Sequence, residues 1–204
     1  MAKVKICGIT NLEDALAAFF SGADAIGFVF YKKSPRYISP SAARKISLIL
    51  PKKIKRVGVF ADEPVSRVKK ISSQCNLDML QFHGQESPAY CRKFKGYKVI
   101  KAFRISRKED LHGVSKYNTF AYLFDSFSNN QLGGTGKRFN WKMLAYLGKI
   151  TPIMFLSGGL TSSNVARAVK LLKPGWVDVS SSLEDEPGKK NHKKIKEFMK
   201  EVSR

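Results

Sequence analysis

Short apolar runs recur along the chain at nearly regular intervals. Each has four to seven residues, and most are rich in β-branched and aromatic side chains, which favours strands over helices. Eight such runs occur: VKIC (4–7), DAIGFVF (24–30), RVGVFA (56–61), DMLQFH (78–83), YKVIKAF (97–103), FAYLFD (120–125), PIMFLS (152–157) and WVDVS (176–180).

Helical patterns lie between these runs. In TNLEDALAAFFSGA (10–23) the apolar residues fall on one helical face, and Thr10 or Asn11 is a suitable N-cap. The segment 106–116 fits a helix least well. Further helix signals are Ser-Pro starts at 39–40 and 87–88, an apolar face at 165, 168, 169 and 172, and another at 195, 198, 199 and 202.

Eight strands alternating with eight helical segments predict a single domain, a (β/α)8 TIM barrel spanning residues 1–204. A doubly wound open sheet is the alternative, but it rarely needs eight regular repeats. Barrels of this kind place their chemistry at the C-terminal ends of the strands. The longest connections follow strands 2 and 6, in YKKSPRYIS and SFSNNQLGGTGKRF, so these loops are expected to be functional.

The composition is that of a globular chain, with 43% hydrophobic and 11% aromatic residues. No apolar run approaches the ~18 residues of a membrane span, and no secretory signal is evident at the start. The three cysteines and three histidines are scattered along the chain, which predicts neither a disulfide framework nor a metal site. We therefore expect a cytoplasmic protein.

The charge is strongly positive, since 37 lysines and arginines face 16 acidic residues to give +21. This charge favours either a small anionic molecule steered to a cleft or nucleic acid bound along a basic stripe. The basic residues are spread throughout the chain, and no nucleic-acid-binding motif accompanies them. The interpretation is an anionic small-molecule substrate, with neither nucleic acid nor a membrane as partner.

Two chemically useful side chains end strands 1 and 6. Side chains alternate across a strand, so Cys7 and Lys5 should share the barrel interior, and Asp125 should point inward as well. A lone cysteine is more often a buried hydrophobe, but a thiol and a carboxyl facing one mouth suit an isomerisation that both donates and removes a proton. Cys7 would need an electropositive neighbourhood, which Lys5 and the helix start after Gly8 could supply.

The same alternation places Asp178 inside strand 8, which closes the barrel beside strand 1. We therefore predict an interior ion pair between Lys5 and Asp178 that orients the site, and we count Asp178 among the substrate-binding residues. His83 is expected to be a hydrogen-bonded histidine at the end of its strand. Gly158 and Gly159 follow strand 7, at the corner where this fold usually binds phosphate.

Several motifs together resemble the phosphoribosylanthranilate isomerase family of tryptophan biosynthesis. The similarity runs from residue 3 to about 191 and is carried by KVKICGIT, GADAIGFVFYKKSPRYIS, LQFHG, the run from Asp125 to Trp141, SGGL and VDVSSSLE…PGKK. It implies a cofactor-free (β/α)8 barrel, monomeric or homodimeric, that performs an Amadori rearrangement. The alternatives are another phosphate-binding barrel, such as the aminoaldose isomerase of histidine biosynthesis, and a basic nucleic-acid-binding protein.

The resemblance also implies residue roles. Asp125 matches the general acid, Cys7 the general base, and Arg36 the residue that binds the anthranilate carboxylate. The GGTG of 133–136 lies in a long, pliant loop, which we interpret as a lid that closes over the substrate. Positions that match the phosphate site are Gly158, Gly159, Ser180 and Ser181. Departures from the family pattern are Ser182 in place of glycine and Asn140 and Asn191 in place of aspartates.

Overall fold

Eight parallel strands close into a barrel in the computed structural model, which describes residues 1–126 and 153–203. Each strand pairs with the next along the chain, and β8 pairs with β1 to complete the circle. The strands are Lys3–Cys7 (β1), Ala25–Val29 (β2), Lys55–Phe60 (β3), Met79–Phe82 (β4), Lys98–Ile105 (β5), Ala121–Ser126 (β6), Met154–Leu156 (β7) and Trp176–Val179 (β8). The predicted barrel is confirmed, and the open doubly wound sheet is wrong.

Alternating side chains divide the core into an inner and an outer part. Val4 and Ile6 of β1 pack in the outer part, between the barrel and its helices, as the strand period predicts. The side chains that fill the interior at the N-terminal half of the barrel come from seven strands and include Ala25, Val57, Met79, Ile100, Leu123, Phe155 and Trp176. These side chains close the barrel at the N-terminal ends of its strands, so an open cleft can form only at the C-terminal ends.

Six α-helices cover the outside over the described ranges. Asn11, and not Thr10, caps the first of them by accepting a hydrogen bond from the backbone N–H of Asp14. Ser39 and Ser87 cap the helices that begin at the predicted prolines. The helices are Leu12–Phe20 (α1), Pro40–Ile49 (α2), Val65–Gln74 (α3), Pro88–Cys91 (α4), Val165–Leu172 (α5) and His192–Val202 (α6).

The helix expected at 106–116 is wrong. The Asp110 carboxylate accepts backbone hydrogen bonds from Ser106 and Arg107 at 2.7 and 3.0 Å, which bends the segment back on its own start. Gly113 then turns the chain with a φ of +87°. The segment consequently forms two single-turn 3₁₀ helices, Lys108–Leu111 and Val114–Lys116.

The connection after β8 is a compact unit that packs against the loops after β1 and β2. A 3₁₀ turn, Ser181–Leu183, leads into a small hairpin of Glu184–Glu186 (β9) and Lys189–Lys190 (β10). Asn191 then caps α6 by accepting a hydrogen bond from the Lys194 backbone at 2.9 Å, so asparagine serves at this departure from the family pattern. Within the described ranges, no helix has the length and apolar character needed to cross a membrane.

Candidate active site

Cys7 ends β1 at the upper rim of the barrel interior. Its side chain packs with Val29 of β2 and Val59 of β3, and not among the outer helices. Burial raises the pKa of the Cys7 thiol, and the nearby Lys5 charge only partly opposes this effect. The thiolate expected from an electropositive neighbourhood is therefore not the resting form at neutral pH, because loss of water outweighs the attraction of Lys5.

Lys5 and Asp178 form the predicted interior ion pair. They stand opposite each other in the register of β1 and β8, with Lys5 Nζ 2.7 Å from Asp178 Oδ1. Their side chains are only 0% and 6% exposed, so the pair is held out of water. Burial opposes the charge on Lys5, but attraction to Asp178 and Cys7 prevails and raises its pKa.

Asp125 lies near the end of β6 with its carboxylate 3.5 Å from His83 Nε2. The other ring nitrogen of His83 is hydrogen-bonded to Gln81 at 3.1 Å, as expected for a fixed strand-end histidine. The charge of Asp125 also contributes to the raised pKa of Asp178, after the larger effects of burial and of Lys5. Because the strands of the barrel run parallel, Cys7 at the end of β1 and Asp125 near the end of β6 lie at the same end of the barrel.

Arg36 lies in the long loop after β2, where it is held by Glu184. Its Nε donates to Glu184 Oε1 at 2.9 Å, and its Nη2 donates to Oε2 at 2.6 Å. Glu184 Oε1 also accepts a hydrogen bond from Lys190 Nζ at 2.7 Å. Sequence reasoning missed Glu184 and Lys190, although both fall inside the VDVSSSLE…PGKK motif.

The glycines and serines of the expected phosphate corner lie together after β7 and β8. Gly158 and Gly159 both have positive φ angles, of 84° and 66°. The Ser180 hydroxyl donates to the backbone carbonyl of Cys7 at 3.0 Å and so ties β8 to β1, whereas Ser181 is exposed. Ser182, the departure from glycine, donates from its hydroxyl to the Leu160 carbonyl at 2.5 Å.

That last bond joins the two loops of the corner directly. The lid motif at 133–136 and Asn140 lie outside the described residues.

The sequence matches a known protein family over almost its whole length. Residues 4–201 match the family model described as N-(5'phosphoribosyl)anthranilate (PRA) isomerase. The chain belongs to this family. The match favours phosphoribosylanthranilate isomerase over the histidine-pathway alternative.

Individual isomerases of the family are similar over their full length. The N-(5'-phosphoribosyl)anthranilate isomerase of Geobacter sp. (strain M21) is 47% identical over 204 residues, which is 100% of this chain and 99% of that protein. A crystal structure of phosphoribosyl anthranilate isomerase in complex with reduced 1-(o-carboxyphenylamino)-1-deoxyribulose 5-phosphate has a TM-score of 0.92 and 43% identity, covering 100% and 99% of the two chains.

A crystal structure of monomers generated from the dimeric phosphoribosylanthranilate isomerase of Thermotoga maritima has a TM-score of 0.90 and 43% identity, with the same coverage. A relative at this level of identity is therefore dimeric.

Proposed function

We propose that the protein catalyses the Amadori rearrangement of N-(5'-phosphoribosyl)anthranilate to 1-(2-carboxyphenylamino)-1-deoxyribulose 5-phosphate in tryptophan biosynthesis. One observation carries the proposal beyond family membership. A thiol and a carboxyl, Cys7 and Asp125, lie at the same end of the barrel on β1 and β6, with Cys7 packed on Val29 and Val59 and Asp125 3.5 Å from His83 Nε2. Such a pair supplies the two proton transfers that this isomerisation requires.

Asp125 acts as the general acid in the first step. In its protonated form it donates a proton to the furanose ring oxygen as the bond from that oxygen to C1 breaks. The nitrogen lone pair forms the C1=N double bond of a cationic Schiff base, so charge is conserved. The imidazole of His83, 3.5 Å from the carboxylate, is suited to orient Asp125 toward the ring.

Cys7 acts as the general base in the second step. Its thiolate removes the proton from C2, and the electrons of the C–H bond move into the Schiff base to give a neutral enolamine, which tautomerises to the ketone. Burial raises the pKa of the free thiol, but the positive charge of the Schiff base would favour the thiolate when it is needed. Lys5, held by Asp178, supports the same ionisation.

The two negatively charged ends of the substrate are bound apart from the reacting centre. We assign the anthranilate carboxylate to Arg36, because a planar guanidinium matches a planar carboxylate. Asp178 serves the substrate site through its pair with Lys5. The phosphate is assigned to the corner formed by Gly158, Gly159, Ser180 and Ser181. No cofactor takes part in the proposed steps, and an assay without added metal or nucleotide tests that absence. The expectations of an anionic small-molecule substrate and of a cytoplasmic location follow from this activity.

The test is consumption of fluorescent phosphoribosylanthranilate by the purified protein. Cys7→Ser and Asp125→Asn should each lower kcat by about a hundredfold or more while the protein stays folded. Cys75→Ser, a buried thiol at the end of α3, and Asp185→Asn, an exposed carboxyl, are the matched controls and should keep normal turnover. Near-normal turnover of Cys7→Ser would remove the thiol from the mechanism, and a purely KM effect of Asp125→Asn would make that residue a binding group.

A further inference from the structure

Glu184 occupies one edge of the Arg36 guanidinium, and no group of the described residues accepts a hydrogen bond from the other edge. Nε donates to both carboxylate oxygens, at 2.9 and 3.1 Å, and Nη2 donates to Oε2 at 2.6 Å. A guanidinium presents two parallel-donor edges, and this contact uses the one formed by Nε and Nη2. The end formed by Nη1 and the second N–H of Nη2 remains for a further planar anion.

Glu184 is itself fixed from the opposite side. Its side chain is 4% exposed, and its Oε1 accepts a hydrogen bond from Lys190 Nζ at 2.7 Å, where the lysine side chain is fully buried. Burial alone would raise the pKa of Glu184, but the hydrogen bonds from Arg36 and Lys190 lower it, so the carboxylate is charged at neutral pH. Burial lowers the pKa of Lys190 while Glu184 opposes this, and with the lysine charged the two cations and one anion carry a formal net charge of +1, which suits one bound carboxylate.

The stem of Arg36 runs directly beside the proposed base. A Cβ atom placed on Gly8 would lie 2.7 Å from Arg36 Cδ, so the arginine crosses the backbone at the residue after Cys7. The Lys190 charge also acts on the Cys7 thiol. The Arg36 side chain keeps 22% exposure, so it is not enclosed as Glu184 is.

We propose that Glu184 is the positioning residue that holds Arg36 with its free edge toward the substrate, and that it thereby sets the preference for a substrate carrying an aromatic carboxylate. Lys190 anchors Glu184 and binds no part of the substrate in this arrangement. The inference rests on the proposed function, because it deepens the role given there to Arg36. Glutamine at position 184 would turn an N–H₂ group toward the arginine donors, so it could not reproduce the paired acceptors.

The experiment compares two substrates that differ only in the carboxylate, N-(5'-phosphoribosyl)anthranilate and N-(5'-phosphoribosyl)aniline. Glu184→Gln should raise KM for the first by about tenfold to a hundredfold, as expected when a charge-assisted contact is lost, and change kcat little. Its kinetics with the aniline compound should equal those of the parent. Glu184→Asp, which keeps the paired oxygens on a shorter stem, should recover part of the affinity.

Glu186→Gln is the matched control, since it makes the same change two residues along β9 at a side chain that is 68% exposed, and it should leave both substrates unaffected. The double variant Arg36→Met/Glu184→Gln should be no worse than Arg36→Met alone, because Glu184 acts through the arginine. Thermal unfolding and circular dichroism of every variant report whether the fold is intact.

Three outcomes would overturn the inference. Equal losses on both substrates would make Glu184 a structural residue, and an unchanged KM for the anthranilate compound would remove it from the site. Additive losses in the double variant would show that it acts apart from Arg36. In all three cases the parent still consumes phosphoribosylanthranilate, so the proposed function stands, whereas a parent that consumes neither substrate refutes the function and the inference together.

Discussion

Lys5→Met tests the buried ion pair between Lys5 and Asp178, which lies in the barrel interior at the candidate site. Lys5 lies in the middle of β1 with its Nζ 2.7 Å from Asp178 Oδ1, and its side chain is 0% exposed. Methionine has a similar length and no charge, so the substitution leaves the Asp178 carboxylate buried without its cation. Removing one partner of a buried pair costs about 3–5 kcal/mol.

A loss of about 3–5 kcal/mol is a large part of the stability of a domain. A domain has a free energy of unfolding of about 5–15 kcal/mol. With a urea dependence of about 2–3 kcal/mol per M, the unfolding midpoint should fall by about 1–2.5 M. The assay is urea unfolding followed by circular dichroism at pH 7.5, with Lys5→Met/Asp178→Asn as companion. The double variant should regain most of the lost stability, because no unpaired charge remains.

The pH dependence provides a second check. Burial raises the pKa of Asp178 while Lys5 opposes this, so removal of Lys5 raises the pKa further. A carboxyl whose pKa is higher in the folded than in the unfolded state lowers the free energy of unfolding, because it resists ionisation in the fold. Below the unfolded pKa of about 3.9 this loss is zero. Above that pH the loss grows by about 1.4 kcal/mol per pH unit until the pH reaches the folded pKa.

The deficit of Lys5→Met should therefore be full near pH 7.5 and shrink steadily as the pH falls toward 4. A variant that unfolds at the parent's urea concentration, or whose deficit does not depend on pH, would refute the reasoning.

Three further predictions concern the thiol and the phosphate corner. Gly27→Ala places a Cβ 2.8 Å from Cys7 Sγ and 3.1 Å from Lys5 Nζ. It should therefore lower the free energy of unfolding by about 1–3 kcal/mol and reduce kcat. Normal values of both quantities would mean that the Cys7 thiol is not confined at this position. Ser182→Ala removes the 2.5 Å hydrogen bond to the Leu160 carbonyl and should lower the free energy of unfolding in urea by about 1 kcal/mol. Ser182→Gly should lower it further, because glycine adds backbone freedom to the unfolded chain. Equal stability of the parent and both variants would mean that this hydrogen bond does not stabilise the corner. Because burial raises the pKa of Cys7, alkylation of its thiol by iodoacetamide, followed by mass spectrometry, should become faster as the pH increases from 7 to 9, and a rate that does not change over this range would contradict a protonated resting thiol.

Local periodicity was enough to predict most of the fold. The eight apolar runs became the eight strands, and Ser39 and Ser87 cap helices as their prolines indicate. The exception at 106–116 has a local cause that periodicity does not contain, since Asp110 hydrogen-bonds to the backbone of its own segment and competes with the helix.

Part of the candidate site could be predicted from two rules: side chains alternate along a strand, and the last strand of the barrel pairs with the first. Parity places Cys7 at the mouth, and closure of strand 8 on strand 1 brings Asp178 to Lys5. The contact of Arg36 with Glu184 joins residues 148 positions apart, through two irregular connections for which no repeat rule exists. That pairing therefore could not be read from the sequence.

The sequence by itself determined the order of strands and helices and which side chains face inward, because these follow from backbone geometry over a few residues. Only the tertiary structure decided the electrostatics of the mouth. Lys5 precedes Cys7 by two positions and predicts a lowered thiol pKa, yet the enclosed barrel raises it. The physical reason is that the cost of removing a charge from water depends on everything that surrounds it, and only the closed fold supplies those surroundings.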